Sequence, residues 1–149
     1  MSAPINVFRT ITARLTPDTW VPGGPDDPTG VEQTIYQAPP NITAIVLMAQ
    51  LSNNREVSPI NPLAPTTPDP HNVRVSMGVE QISILGTISP RFLVRNFLVS
   101  PSSAADLLSG KLIVEENESL IAIIDNGGEP PSPDPGIDLI LSVIEARNA

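Results

Sequence analysis

Apolar and polar positions alternate with a period of two along most of this chain, the period of strands rather than of helices. Val73–Val79 alternates most cleanly, with Val73, Val75, Met77 and Val79 against Arg74, Ser76 and Gly78, as a sheet with one wet face requires. Ile5–Leu15 places Val7, Arg9, Ile11, Ala13 and Leu15 on one side, and the arginine on that apolar side points to an edge strand or to one whose end emerges from the core. Val31–Gln37 sets Val31, Gln33, Ile35 and Gln37 opposite Glu32, Thr34 and Tyr36. Ile137–Ala146 reads as a closing strand paired inside the sheet, with Ile137, Leu139, Leu141 and Val143 on one face. Asn41–Ser52 is apolar on both alternations, Ile42, Ala44, Val46 and Met48 against Ile45, Leu47, Ala49 and Leu51, which predicts a central strand buried on both faces.

The second half predicts further strands. Gln81–Ile88 supplies Ile82 and Ile84 with a bend at Gly86, and Arg91–Val99 sets Phe92, Val94 and Leu98 against Leu93, Phe97 and Val99. Ser100–Gly110 reads as a short helical turn, with serines for the cap, Ala-Ala-Asp-Leu-Leu for the turn and Gly110 for the stop. Lys111–Val114 and Ser119–Ile124 are expected to pair as a hairpin about Glu115–Glu118. Thirteen of the eighteen prolines lie in three connectors, 16–30, 53–72 and 125–136. The apolar runs between them keep the backbone donors that a ladder needs. About eight strands with regular turn signals, and no alternation with long helical patterns, predict an all-β antiparallel sandwich or jelly roll. The 149 residues fit one domain, with 1–30 an N-terminal arm or edge strand and loop.

Composition narrows the chemistry. A net charge of −8, with a single lysine and scattered arginines, opposes a sequence-independent grip on nucleic acid or on an anionic membrane. No cysteine is present, no apolar run approaches the ~20 residues of a spanning helix, and the first residues lack the pattern of a signal peptide. His71, the sole histidine, lies in a proline-rich connector without a strand–Ser–helix elbow or a second imidazole, so neither a Ser/His/acid set nor a transition-metal site is expected. Gly23-Gly24 and Gly127-Gly128 are turn glycines, not a phosphate cradle. Aromatics at 3% leave few stacking platforms for sugars or single-stranded nucleic acid. Asp26-Asp27 and Glu115, Glu116 and Glu118 read as solvated turns before they read as calcium ligands. No cofactor, metal or catalytic residue is expected, and the chain reads as non-enzymatic. Trp20 reads first as a plug folded under its connector at one end of the core and second as an anchor in a partner subunit; with it, the candidate partner contacts are the prolines Pro22, Pro62, Pro65, Pro68, Pro131 and Pro133, whose restricted loops order at low entropic cost.

Tyr36-Gln-Ala-Pro-Pro-Asn-Ile-Thr-Ala-Ile-Val-Leu followed by Leu51-Ser-Asn, then Asn96-Phe-Leu-Val-Ser-Pro, Asp106-Leu-Leu-Ser-Gly-Lys-Leu-Ile-Val-Glu115 and Ile137–Glu145, resembles small virion structural proteins of tailed bacteriophages, notably of cyanophages. The resemblance covers roughly Thr34 to Glu145. It departs at Glu116-Asn117-Glu118, where the family carries an acid-rich Gly-Asp turn, and in the proline content of two connectors. It implies a β-sandwich accessory protein in a virion, oligomeric with itself and in contact with capsid, portal or tail subunits, cementing or decorating the capsid or forming part of the neck or tail. The alternative is a secreted β-sandwich adhesion or glycan-binding module.

Overall fold

The computed structural model describes residues 6–15, 32–55, 72–83, 86–87, 90–125 and 136–148. These residues form ten strands and no helix: β1 (Val7–Leu15), β2 (Glu32–Gln37), β3 (Ile42–Asn53), β4 (Val73–Ser83), β5 (Gly86–Thr87), β6 (Arg91–Val99), β7 (Ser103–Asp106), β8 (Leu112–Val114), β9 (Glu118–Asp125) and β10 (Ile137–Arg147). They make two antiparallel sheets. The first has the order β1-β10-β3, and the far edge of β3 is shared by β7 along Gln50–Asn53 and by β8 along Ala44–Val46. The second has the order β2-β9-β4, with β6 and the short β5 both pairing to β4. The closing strand does lie inside its sheet and β1 does form an edge, as the patterns predict.

Each sheet turns its aliphatic alternation toward the other. Leu139, Leu141, Ala49 and Leu51 from the first meet Val73, Val75, Met77, Leu120 and Ile124 from the second in one continuous buried core, so the architecture is a β-sandwich. Most of the residues that close it are valine, isoleucine or leucine, which interdigitate between the two inner faces.

Four expectations are corrected. β3 is buried on one face only: Ala44, Val46, Ala49 and Leu51 are buried, whereas Ile45 and Met48 are half-buried and Leu47 is exposed. The ladder to β10 shifts between Val46 and Met48, leaving Leu47 as an extra residue. That bulge moves the inward phase from even to odd positions, so two one-sided halves read as one two-sided strand. The strand buried on both faces is β9. Leu120, Ala122 and Ile124 join the core, while Ile121 and Ile123 are buried apart from it on the other face.

Residues 103–106 form a strand on the edge of β3 instead of a helical turn. An isolated helix of five residues is marginal, whereas β3 offers an edge of unpaired backbone groups. Ser102 at φ +55° makes the turn into that strand. β8 and β9 are no hairpin either, since β8 pairs with β3 and β9 with β2 and β4, so Glu115–Glu118 arches from one sheet to the other. The alternation of β2 also breaks: a register shift at Ile35 leaves both Ile35 and Tyr36 buried.

Glu32 on β2 and Glu80 on β4 lie on either side of β9. The hydrogen bond to Glu80, then burial, then the charge of Glu80 raise the Glu32 carboxyl to about 7. The folded chain therefore holds a proton that the unfolded chain releases near 4.5. Its stabilisation is complete below that value and is lost as pH rises toward 7. Glu32 is exposed, so solvent screening reduces the effect to under about 1 kcal/mol. Between pH 5 and pH 8 the urea midpoint is expected to fall more steeply in the parent protein than in Glu32→Gln. Equal slopes would remove Glu32 from the titration.

Candidate assembly interface

The outer face of the first sheet carries the most exposed apolar side chains among the described residues. Strand pairing sets Phe8 opposite Ile144, Ile144 opposite Ile45, and Ile45 opposite Ile113. One residue from each of β1, β10, β3 and β8 thus stands in a single row crossing the sheet, ~14 Å long at the usual strand spacing. Phe8 is 74% exposed and Ile113 57%. The β3 bulge pushes Leu47 out beside them. A lone exposed leucine needs no explanation, but five large apolar side chains in one patch, two of them half-buried, make this face the candidate contact surface.

Polarity rises along the strands away from this row. Thr10, Ser142 and Met48 follow, then Thr12, Ile140 and Gln50, then Arg14, Asp138 and Ser52. The last step is fixed by bonds: Arg14 Nε and Nη2 donate to the two carboxylate oxygens of Asp138 at 3.1 and 3.4 Å, and Asn54 Nδ2 donates to Asp138 Oδ2 at 3.1 Å. A face graded from aliphatic to charged can dock in few orientations. On β6 in the other sheet Leu93, Phe97 and Leu98 are also exposed, Phe97 opposite the core-facing Val75 and Leu98 opposite Arg74 on the other side of that edge strand.

The apolar end of the sandwich holds a slot of about 320 Å³ lined by Val7, Arg9, Pro39, Ile42, Glu145 and Arg147. Glu145 continues the inward series of β10 and is buried. It accepts a 2.8 Å hydrogen bond from the Tyr36 hydroxyl at Oε1 and pairs with Arg9 Nε at 2.8 Å through Oε2. Burial, the hydrogen bond to Glu145 and the charge of Glu145 together raise the Tyr36 phenol above its ordinary value, so Tyr36 remains the donor at any ordinary pH. The rim is tied by the turn at 38–41: Ile42 N–H donates to the Pro39 carbonyl at 3.1 Å and Asn148 N–H to the Asn41 carbonyl at 2.8 Å, with Asn41 at φ +61°.

Trp20, Pro22, Pro62, Pro65, Pro68, Pro131 and Pro133 lie outside the described residues, as do His71 and Asp26-Asp27. Sequence reading found the arginine on the apolar side of β1 but not its partner. Glu145 interrupts an otherwise aliphatic inward series of β10, and that interruption is the signal that was available. It becomes a pair with Arg9 only once β1 is known to lie beside β10. Among the described residues no group of three or more His, Asp or Glu side chains is placed to hold a metal ion. None of them forms a helix long and apolar enough to cross a membrane.

No protein-family model matches the chain, and no curated protein sequence matches it. Solved structures do. The infectious bursal disease virus particle matches with a TM-score of 0.51 at 12% identity, over 96% of this chain and 31% of that one. The Gt strain of the same virus matches with a TM-score of 0.48 at 12% identity, over 96% and 32%. A mutant VP2 protein of that virus, in derived T=1 particles, gives 0.46 at 12% identity, over 95% and 39%. The chain thus spans about a third of the length of the viral chains it matches. The likeness to the first of them is one of fold alone, a β-sandwich.

Proposed function

We propose that this chain is a non-enzymatic structural subunit of a virus particle, a β-sandwich that assembles in symmetric copies beside other virion proteins. The observation that carries the reading is the row Phe8–Ile144–Ile45–Ile113 with Leu47 beside it, an apolar surface on the outer face of the first sheet. The fold likeness to a viral particle supports it as analogy. The exposed apolar residues along the β6 edge strand give each copy a second contact region, which allows contacts to propagate around an axis instead of stopping at a pair. Many weak contacts of this kind hold a shell by avidity. The finer placement, on a tailed bacteriophage as a capsid cement or decoration or in the neck or tail, rests on the sequence resemblance. The proline-rich connectors with Trp20 are its proposed contacts with capsid, portal or tail subunits.

Sedimentation velocity tests the reading. The parent protein is expected to self-associate with rising concentration. Phe8→Asp with Ile113→Lys is expected to weaken that association at least about tenfold. Its thermal midpoint should stay within a few degrees of the parent, because both positions are exposed. A parent protein that remains monomeric at every concentration, and fails to sediment with stripped particles, would refute it.

A further inference from the structure

We propose that the outer edge of β1 pairs antiparallel with β1 of a second copy of this chain, joining the two first sheets into one about a two-fold axis at Ile11. The proposal rests on the assembly reading above and names a contact within it.

A bare sheet edge offers a row of backbone donors and acceptors, and chains that stay single blunt it by shortness or by a bulge. The other edges among the described residues follow that rule. β5 has two residues, β8 three and β7 four. β2 carries a register shift at Ile35. β6 shifts register against β4 on both sides of Met77, with Asn96 at φ +48°. β1 instead pairs with β10 over nine successive residues without a shift, and it holds neither proline nor glycine. It ends the first sheet, and no backbone bond from a described residue reaches its outer side along Val7–Ala13. Val7, Thr10, Ile11 and Thr12 are β-branched, types that favour an extended pair.

The strand also complements itself. Its two charges are engaged within its own sheet, Arg9 by Glu145 and Arg14 by Asp138. Only a register that opposes residues of like parity keeps both inner faces on one side. Centred on Ile11, such a register pairs all nine residues: Ile11 meets its counterpart, Thr10 meets Thr12, Arg9 meets Ala13 and Phe8 meets Arg14. No arginine then faces another. Centring on Arg9 or Arg14 would set like charges directly opposite, and centring on Thr10 or Thr12 would pair seven residues in place of nine. Thr10 with Thr12 is a favoured cross-strand pair. The methylenes of Arg14 cover the ring of Phe8, which is 74% exposed in a single copy. The new ladder supplies about eight to ten hydrogen bonds between chains, two for each bonded pair. Both copies use the same edge, so pairing closes at two and leaves neither edge bare.

Two measurements on the full chain test the pairing. The protein has no cysteine, and Thr10 and Thr12 are exposed, so Thr10→Cys and Thr12→Cys each introduce one accessible thiol. In the register centred on Ile11 a thiol from each variant stands opposite the other at ~5 Å between Cβ atoms, whereas two copies of one variant place theirs on the ~7–8 Å diagonal. With oxidised glutathione, the mixed variants are expected to form disulfide-linked dimer at least about tenfold faster than either variant alone. Hydrogen exchange of the unsubstituted protein gives the second reading. On concentration, alternate amides along Val7–Ala13 are expected to slow at least about tenfold, while the intervening amides, already bonded to β10, stay unchanged. A mixture that cross-links no faster than either variant alone overturns the pairing. So do alternate amides that exchange equally in dilute and associated samples, a result that leaves assembly through the aliphatic row standing. A protein that stays monomeric at every concentration overturns the pairing, and its added failure to sediment with stripped particles overturns the assembly reading as well.

Discussion

Gly78→Ala is expected to lower stability by about 3 kcal/mol, the upper part of the range for overpacking, and the melting temperature by roughly 6–12 °C. A Cβ at position 78 would stand 2.6 Å from the Arg91 carbonyl oxygen and 3.0 Å from both the Arg91 carbonyl carbon and the Phe92 Cα. All three are backbone atoms, so no rotamer change relieves the clash. β6 must withdraw from β4 instead. The register of that pair shifts on both sides of Met77, so β6 is already bent to follow β4 there. Withdrawal would loosen the pairing beside Met77, which is wholly buried in the core. Against this, removing a glycine restricts the unfolded chain and favours folding by about 0.4–1 kcal/mol where the native backbone tolerates a side chain. The clash is the larger quantity, so the net sign is destabilising. Urea unfolding measures it, and a loss below about 1 kcal/mol would mean that β6 approaches β4 less closely than the structure has it.

The strands were readable because each carries its own evidence. Period-two alternation in β1, β4 and β10 needs no partner to be recognised, and the proline-rich connectors mark where it stops. What failed was whatever depended on a partner. The β3 bulge at Leu47 exists only against β10. Residues 103–106 have a sequence acceptable to a helical turn and become a strand because β3 has an open edge. The Glu115–Glu118 turn is correctly local, but a turn joining strands of one sheet and a turn joining two sheets have the same residues. Only the pairing of β8 with β3 separates them.

The candidate interface was hidden for the same reason. Phe8, Ile45, Ile113 and Ile144 come from nearly the whole length of the chain, and no spacing rule links them. They become one row through three successive registers. The resemblance to virion proteins anticipated the sandwich, but it carried no surface, because a strand-and-turn pattern does not record which face stays bare.

Glu145→Ala is expected to cost about 3 kcal/mol, and the order of effects around Glu145 tests how the slot is built. The substitution leaves a void, strips the buried Tyr36 hydroxyl of its acceptor and releases Arg9. Tyr36→Phe removes only the 2.8 Å bond to Oε1 and should cost about 1–2 kcal/mol, as for a hydrogen bond to a charged acceptor. Arg9→Ala is the instructive case. Removing one partner of a fully buried ion pair costs about 3–5 kcal/mol, because the other charge is left without water. Arg9, however, is 58% exposed and faces the slot, so water reaches Oε2 once the guanidinium is gone. Its removal should therefore cost about 1 kcal/mol, the scale of a surface pair. The expected order in urea unfolding is Glu145→Ala, then Tyr36→Phe, then Arg9→Ala. A double-mutant cycle of Tyr36→Phe with Glu145→Gln should return a coupling of about 1 kcal/mol. If Arg9→Ala proves the costliest of the three, Glu145 is sealed from solvent and the slot beside it is closed in solution.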